Sequence, residues 1–403
     1  MQGLVPTIFL MIFISIASPS SCAITQVFDV VRYGAFGNGK TDDSQAFLRA
    51  WSDVCKASRA RGIPTLVIPR GKVFLLKPVT FLGPCNSNIV IVLVEGTIIA
   101  PQNTQEWKDK SKWIQFSNID GLVINGDGHI DGQGYAWWKS CFPNKESWGC
   151  KNRPTALHFN KCNGLQLSEL SHLNSPRNHI SISSCDGVHI SHLNIFAPEE
   201  SPNTDGIDIS TSRNIEIKNS VIQTGDDCVA INQGSSYINI SSVACGPGHG
   251  ISIGSLGKNG NYETVEEVHV RDCNFTGTQN GARIKTWKGG SGYARKIIFE
   301  NIRVRNSQNP IIIDQNYDPF GRNAGSQKAV KVSEVTFKNV RGTAAEELAI
   351  DLICSQGMGC TNILLDNIDI QSSIPGKRTY SRCNNVHGTA RACNPVVPCV
   401  ASS

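Results

Sequence analysis

The chain has 403 residues, of which 40% are hydrophobic and 18% are charged. This balance excludes an intrinsically disordered protein, which would combine low hydrophobicity with high charge. The formal net charge of +5 is modest, so it fits an acidic polysaccharide, a nucleic acid or no charged partner at all.

The N-terminus carries a short apolar segment. Residues 4–17 are nearly continuous apolar sequence, and small residues follow from 18 to 22. This stretch is too short to span a bilayer comfortably, so it predicts a signal peptide over 1–22. A buried N-terminal strand is the alternative, since no Lys or Arg precedes the apolar run. No later stretch is long enough to cross a bilayer. We therefore expect 23–403 to form one secreted domain without membrane contact.

Residues 41–56 predict a short capping helix near the start of that domain. Thr41 and Asp42 are residue types that cap helix N-termini. One apolar face at helical spacing follows, formed by Ala46, Phe47, Ala50, Trp51 and Val54. Such a face suits the exposed end of a repeat protein, which needs a cap.

A repeat runs through the middle of the chain. Short segments with alternating apolar residues start at Leu165, Val188, Ile215 and Ile238, which are 23, 27 and 23 residues apart. A second alternating segment follows each one after a turn, starting at Ile180, Ile207, Val229 and Ile251. Short period-2 strands separated by Gly, Asn and Ser predict an all-β solenoid of stacked coils. A β-sandwich or propeller is the alternative, but propeller blades are longer than these coils.

The register of the repeat places polar residues in one column. Two positions before the second strands stand Asn178, Asp205, Asp227 and His249, and Asp226 directly precedes Asp227. In the next coil Ala282 and Ile284 should point inward, so Arg283 and Lys285 should point outward on the same strip. Taken singly, each of these short motifs is typical of a plain turn or a solvated strand. Their alignment in one column favours a functional site.

The residue types in this column suit hydrolysis of an acidic sugar polymer. Cleavage of a glycosidic bond needs one carboxylic acid to protonate the leaving oxygen and a second carboxylate to activate water. Adjacent carboxylates raise one another's pKa, so that one stays protonated near neutral pH. Arg283 and Lys285 are suited to bind a sugar carboxylate. A metal site is the alternative use of clustered aspartates, and the two nearby cations disfavour it.

The cysteines agree with secretion. The chain has fifteen, and cleavage after Cys22 leaves fourteen, an even number that suits disulfide pairing. The sequence contains no CxxC pair, so the usual cysteine spacing of a zinc or redox site is absent. Close spacing predicts three local disulfides, Cys141 with Cys150, Cys228 with Cys245 and Cys354 with Cys360. A cluster at Cys383, Cys393 and Cys399 should lock the C-terminus, and buried thiols or disulfides are both open for Cys162, Cys185 and Cys273. Asn239 and Asn274 begin glycosylation acceptor triplets.

Five motifs resemble those of the polygalacturonases, the family 28 glycoside hydrolases, and residues 33–43 are similar to the plant members. The matching segments are 201–205 (SPNTD), 225–227 (GDD), 246–250 (GPGHG), 283–285 (RIK) and 314–317 (DQNY). The resemblance implies a single right-handed parallel β-helix. It also implies hydrolysis of the α-1,4-galacturonosyl links of homogalacturonan, with inversion.

The resemblance further assigns roles to the residues of the column. Asp226 would be the general acid, Asp205 and Asp227 would activate water, and His249 would orient the acid. The substrate-binding residues would be Asn203, Arg283, Lys285 and Tyr317. Inversion implies carboxyl groups about 6.5–9.5 Å apart. A protonated Asp226 beside an ionised pair implies a mildly acidic optimum.

Several related functions remain as alternatives. They are a rhamnogalacturonan or xylogalacturonan hydrolase, a calcium-dependent pectate lyase, and a non-catalytic protein that binds cell-wall polysaccharide. For the favoured function we expect a monomer in the cell wall that acts on pectin. It would need no cofactor or metal and have no nucleic-acid partner.

Overall fold

The computed structural model describes residues 25–142, 150, 152–318 and 328–402. The predicted signal peptide, 1–22, lies outside the described residues. The described helices are few: α1 (Ser44–Lys56), α2 (Tyr135–Trp138) and the 3₁₀ turns Val30–Tyr33, Arg59–Arg61, Thr104–Glu106, Lys139–Cys141 and Lys258–Gly260. None of these helices is both long and apolar enough to cross a membrane.

The described strands, numbered in chain order, form two sheets in which every pairing is parallel. The larger sheet has 21 strands: β1 (Thr25–Asp29), β2 (Asn38–Asp42), β3 (Ile63–Ile68), β4 (Val73–Leu75), β6 (Val90–Val94), β7 (Thr97–Ile99), β9 (Leu122–Asn125), β10 (His129–Asp131), β12 (Gln166–Ser168), β13 (Ser171–Leu173), β15 (Asp186–Ser191), β16 (Asn194–Phe196), β18 (Arg213–Gln223), β20 (Ser235–Cys245), β22 (Tyr262–Arg271), β23 (Asn274–Thr276), β25 (Ser291–Ser307), β27 (Lys331–Ala344), β29 (Cys360–Ser372), β31 (Val386–Asn394) and β32 (Ala401–Ser402). The smaller sheet has 11 strands: β5 (Val79–Leu82), β8 (Lys112–Ser117), β11 (Thr155–Asn160), β14 (Ile180–Ser183), β17 (Ile207–Ser210), β19 (Val229–Ile231), β21 (Ile251–Leu256), β24 (Asn280–Trp287), β26 (Asn309–Tyr317), β28 (Leu348–Ile353) and β30 (Tyr380–Asn384).

The larger sheet covers two faces of a solenoid, and the smaller sheet covers the third. Strand β12 pairs with β15 on the first face, and β13 pairs with β16 on the second. Both β15 and β16 pair with the long strand β18, which therefore bends from one face to the other. The predicted parallel β-helix is confirmed, and the sandwich and propeller alternatives are excluded.

The bend between the first two faces uses the same backbone conformation in successive coils. A residue with positive φ stands there in four consecutive coils: Glu169, His192, Asn219 and Ser242. These positions are 23, 27 and 23 residues apart, as in the repeat of the sequence. Left-handed φ is unfavourable for residues other than glycine, so the corner is held by the pairing on both sides of it.

The interior is filled by the apolar residues that alternate along the strands. The second strands of the repeat pair in the register that the sequence predicts, with partners Ile180, Ile207, Val229, Ile251 and Ala282 in successive coils. All five side chains are buried. Aromatic rings also stack between coils, as Phe299 does on Phe337 at 5.6 Å. The period-2 pattern therefore builds one continuous core.

Helix α1 covers the N-terminal coil, and of its two predicted capping residues Asp42 contacts the first turn whereas Thr41 contacts Asn38. The helix begins at Ser44, and the N-cap position is Asp43. The Asp43 carboxylate turns away to accept hydrogen bonds from the backbone N–H groups of Phe36 and Gly37, at 2.7 and 3.1 Å. Asp42 contributes by accepting from the backbone N–H of Ser44 at 3.0 Å. The predicted apolar face is confirmed, since all five of its residues are buried.

Within the residues that the structure describes, five disulfides link the coils and their connections. The three local pairs predicted from spacing are confirmed. At the C-terminus Cys383 bonds to Cys399, whereas Cys393 keeps a free thiol. Cys55–Cys85 was not predicted. The three undecided cysteines, Cys162, Cys185 and Cys273, are buried thiols.

Candidate active site

The predicted acids lie on turns that enter neighbouring strands of the smaller sheet. Asp205 precedes β17, Asp226 and Asp227 precede β19, and His249 precedes β21. The backbone N–H of Gly206 donates to the carbonyl of Asp227 at 2.8 Å, so these two turns are in direct contact. The stacking of the coils therefore brings together residues that are 22 positions apart in the chain.

Asp227 is held by two cations. Its side chain is only 1% exposed, and Lys285 Nζ lies 2.8 Å from Oδ2 while the Arg283 guanidinium pairs with Oδ1. Ser252 Oγ donates to the same Oδ1 at 2.9 Å and accepts from Arg283 Nε at 2.7 Å. Burial lowers the pKa of Lys285, but the charges of Asp227 and Asp226, with a contribution from Tyr317, together outweigh it and raise this pKa above its usual value. The predicted meeting of acids and cations is confirmed.

Asp226 belongs to a second cluster, which differs from the predicted column. His249 aligns with Asp227 in the repeat, yet its Nδ1 lies 2.9 Å from Oδ1 of Asp226. Asn203 Nδ2 donates to the other oxygen of Asp226 at 3.3 Å. The side chains of Asp226 and His249 are 16% and 33% exposed, so this cluster is more open to solvent than Asp227 is.

The pKa shifts in the free site oppose the expectation that Asp226 is protonated while Asp205 is ionised. Burial raises the pKa of Asp226, but the hydrogen bond with His249 and the charges of His249, Lys285 and Arg283 outweigh it and bring the pKa below the usual value. Burial also raises the pKa of Asp205, and the charge of Asp226 adds to this, so that it lies well above the usual value. The free site therefore protonates Asp205 before Asp226. The sequence could not show this order because it depends on which carboxylate His249 contacts.

The spacing of one carboxylate pair also departs from expectation. Single oxygens of Asp226 and Asp227, together with a ring nitrogen of His249, lie within 4.8 Å of one another. This is shorter than the separation of about 6.5–9.5 Å expected of an inverting pair. A short spacing follows from adjacent residues whose side chains both face the same turn.

The Asp226, Asp227 and His249 group also has the spacing of a metal site. However, the salt bridges of Asp227 already engage both of its oxygens. A cation here would lie beside Arg283 and Lys285, and two fixed positive charges disfavour a third. The donor set therefore fits a proton-transfer site better than a metal site.

Tyr317 also reaches the site, next to the cations. The Lys285 Nζ lies 5.6 Å from the centre of its ring. Trp287 packs edge-on against the same ring, with centroids 5.4 Å apart. All the predicted site residues are thus brought to one region. Asn203, which was predicted to bind substrate, contacts the Asp226 carboxylate directly.

Sequence reasoning missed three residues of the site. Asp208 and Ser252 lie on the same outward row as Arg283, because Asp208 pairs with Ala230, Ala230 with Ser252, and Ser252 with Arg283. Burial raises the pKa of Asp208 to about 7. The alternation along β17 and β21 contained the signal for both, since each stands between two inward isoleucines. The third residue is Arg153.

The buried Arg153 ties the turn of Asn203 to its surroundings. Its guanidinium donates to the Asn203 side-chain oxygen at 2.8 Å and to the carbonyls of Cys150, Pro176 and Pro202 at 2.6–2.7 Å. Asn203 in turn contacts Asp226, so Arg153 acts on the acid through an intermediate residue. No motif in the sequence indicated it, because its partners are mostly backbone carbonyls far away in the chain.

Comparison with known proteins fits this site. The sequence profile of the family described as glycosyl hydrolases family 28 matches residues 58–394. The chain belongs to glycosyl hydrolases family 28. A probable polygalacturonase of Arabidopsis thaliana is 50% identical over 385 residues, which cover 94% of this chain and 82% of the relative. The family 28 assignment makes the chain a glycoside hydrolase.

Solved structures of family 28 enzymes share the fold. An endo-xylogalacturonan hydrolase from Aspergillus tubingensis superposes with a TM-score of 0.79 and 26% identity, covering 90% of this chain and 96% of that one. A polygalacturonase from Erwinia carotovora gives a TM-score of 0.70 and 25% identity, covering 86% and 93%. The family fold therefore accounts for most of the described chain.

Proposed function

We propose that the chain is a secreted polygalacturonase, which hydrolyses the α-1,4-galacturonosyl links of homogalacturonan with inversion. The observation that carries the proposal is the pairing of Asp227, the chain neighbour of Asp226, with two fixed cations, Arg283 and Lys285. Acids suit cleavage of a glycosidic bond, and cations suit a sugar that carries a carboxylate. The plant relative at 50% identity, a probable polygalacturonase, supports this substrate.

Substrate binding begins at the cations. A galacturonate carboxylate would pair with Arg283 and Lys285, with the Arg283 guanidinium able to donate two parallel hydrogen bonds. Tyr317 lies beside Lys285 and would contact the same sugar ring. Asn203, held by Arg153, would position Asp226 against the next glycosidic oxygen.

Cleavage then needs one proton donor and one water. Asp226 protonates the glycosidic oxygen as its bond to the anomeric carbon breaks, and water attacks that carbon from the opposite face. Asp205 and Asp227 hold the water and take up its proton as its oxygen bonds to the anomeric carbon. Proton exchange with solvent then returns the proton from this pair to Asp226 before the next turnover. His249 orients the Asp226 carboxyl group through their 2.9 Å contact.

In the free site Asp226 has a lowered pKa, and the carboxylate of a bound substrate would raise it. The charges of Lys285 and Arg283 help to lower the pKa of Asp226. A substrate carboxylate at these cations would offset both charges and therefore raise the pKa of Asp226. A mildly acidic optimum on polygalacturonate stays our prediction for the complex.

The first test is product release from de-esterified polygalacturonate in the presence of EDTA. We expect new reducing ends without unsaturated product, because hydrolysis at this site needs no metal. Asp226→Asn should lower kcat by about 10²–10⁴-fold, the usual contribution of a general acid. Calcium-dependent unsaturated product would show a lyase. Release from xylogalacturonan alone would favour the branched-pectin alternative, and folded protein inactive on both would favour a binding protein.

A second substrate separates the acid from the residues that activate water. Galacturonosyl fluoride has a leaving group that needs no proton, so Asp226→Asn should retain its hydrolysis while Asp205→Asn loses it. The reverse result would give the acid role to Asp205, in line with the pKa order of the free site. The anomer released first, read by proton NMR, tests inversion.

The setting of the enzyme is part of the same proposal. A signal peptide over 1–22, a single domain over 23–403, a monomeric state and a location in the cell wall agree with a pectin substrate. The five disulfides are typical of exported proteins.

A further inference from the structure

A groove with a volume of 1110 Å³ lies on the larger sheet, over β23, β25 and β27. Three exposed arginines line it: Arg303, Arg305 and Arg341. None of the residues that line it belongs to the candidate active site, which is built on the smaller sheet and the turns that enter it. The groove is therefore a separate surface of the solenoid.

One wall of the groove is a chain of amides. Asn301 Nδ2 donates to Asp272 at 3.0 Å, Asn339 Nδ2 donates to Asn301 at 2.9 Å, and Asn367 Nδ2 donates to Asn339 at 2.7 Å. Each donor stands one coil beyond its acceptor, so the chain runs along the solenoid axis. This ordered wall gives the groove a fixed shape and a direction along which a linear polymer fits.

The guanidinium groups of the groove arginines are unpaired in the part of the chain that the structure describes. Within the described residues, none of the three guanidinium groups forms a hydrogen bond or an ion pair. Arg303 and Arg341 are direct partners in the register of β25 and β27, and like charges placed directly opposite are destabilising. The arrangement is therefore best stabilised by an anion from outside.

Two carboxylates lie beside the groove, and each accepts hydrogen bonds from other residues. Asp272 forms an ion pair with Arg271 at 2.8 Å and also accepts a hydrogen bond from the side-chain amide of Asn301. Asp369 is the register partner of Arg341 on β29, but it accepts from Asn394 Nδ2 at 2.9 Å. The Asn394 amide is neutral and leaves the charge of Asp369 in place, whereas Asp272 is balanced by Arg271. The three arginines therefore outnumber the one carboxylate that no cation pairs, and the groove keeps an excess of positive charge.

We propose that this groove is a second binding site for galacturonate-bearing polysaccharide, outside the active site. The inference rests on the proposed function, which places the protein among such polymers. A polyuronide carries one carboxylate on each sugar, so successive carboxylates can meet Arg303 and Arg341 on successive coils. The amide wall donates and accepts hydrogen bonds that suit sugar hydroxyls. The site holds a long chain to the enzyme while another part of that chain is cleaved.

The glycosylation acceptor Asn274 stands at the edge of this groove. It is the register partner of Arg303, and it lines the same surface. A glycan attached there would lie over the arginines and compete with the polymer. The test therefore uses proteins that all carry Asn274→Gln, so that glycosylation cannot differ between them.

Binding is measured by retention on immobilised polygalacturonate, with full-length protein made inactive by Asp226→Asn. Adding Arg303→Gln and Arg341→Gln should weaken binding at least about ten-fold, the effect expected from losing charge-assisted contacts. The matched control is Arg32→Gln with Arg378→Gln, which removes two exposed charges outside the groove. The control should change binding by less than about two-fold.

Activity separates this inference from the proposed function. In otherwise active protein, the groove variant should hydrolyse a short galacturonate oligomer at the normal rate and long polymer with a raised KM. Equal polymer binding by the groove and control variants would overturn the second site, even if the oligomer is cleaved. Failure to cleave the oligomer would count against the proposed function alone, since retention is measured without catalysis.

Discussion

Single buried residues outside the site affect how the protein responds to acid. His158 is buried on β11 of the smaller sheet. Burial lowers its pKa to about 4, and the charge of Lys112 contributes. An unfolded histidine titrates near 6.5. Between these two values the unfolded state binds a proton that the folded state does not, so stability falls as the pH decreases.

His158→Gln should therefore reduce the acid sensitivity of folding. Each pH unit below 6.5 costs about 1.4 kcal/mol through this one group. Between pH 7 and pH 5 the wild type should lose about 2 kcal/mol more of its free energy of unfolding than the variant does. Urea unfolding at the two pH values measures the difference. His387→Gln, at an exposed position, is the control, and equal losses in both variants would contradict the prediction.

At this scale the sequence predicted which residues gather, but not how they pair. The repeat brought Asp205, Asp227 and Arg283 to one region because register depends only on the apolar pattern. The partner of His249 depends on a turn between two glycines with positive φ, Gly248 and Gly250. That turn directs the backbone N–H of His249 to the carbonyl of Asp226 at 2.7 Å, which no pattern of residue types reveals.

At the scale of elements, α1 is the part most separate from the repeat. Trp51 packs edge-on against Phe81 and Phe116, with ring centroids 5.3 and 5.8 Å apart. Its Nε1 donates to the carbonyl of Leu82 at 3.0 Å. Cys55, at the end of the helix, bonds to Cys85. The helical period predicted the buried face, but pairing across 30 residues lay beyond any local pattern.

Trp51→Ala should strongly destabilise the protein. Removing a buried tryptophan costs about 3–5 kcal/mol, because the coil beneath it is left with a cavity. Trp51→Phe should lose less, since a ring remains against Phe81. Gln45→Ala, on the exposed face of α1, should stay within about 0.5 kcal/mol. These values come from urea unfolding, and a Trp51→Ala effect as small as that of Gln45→Ala would show that the helix does not unfold together with the coils.

For the whole molecule, the formal net charge of +5 would add to the attraction that the local cations exert on the proposed polyanionic substrate. Attraction between exposed charges is screened over about 10 Å at 0.1 M salt and about 3 Å at 1 M. The sequence gives the sign of this charge, whereas its gathering into an arginine groove requires the register of β25 and β27.

We therefore expect the KM for polygalacturonate to rise several-fold between about 0.02 M and 0.5 M sodium chloride. The kcat should change little, because the buried pair of Lys285 and Asp227 is shielded from salt. A short oligomer, with fewer charges, is the control and should show a weaker dependence. Initial rates at both salt concentrations measure this, and a KM independent of salt would contradict long-range attraction.

The left-handed corner has a consequence for how this solenoid can change in length. The coil from Val188 to Ile215 is four residues longer than its neighbours, yet its corner at His192 is unchanged. The extra residues all fall between β16 and β17, where eleven positions separate Phe196 from Ile207, against seven between the corresponding strands β13 and β14. That segment carries Asp205. The four extra residues of this coil are thus accommodated on the side that carries the candidate active site, where the connection can change in length without shifting the strands that support it.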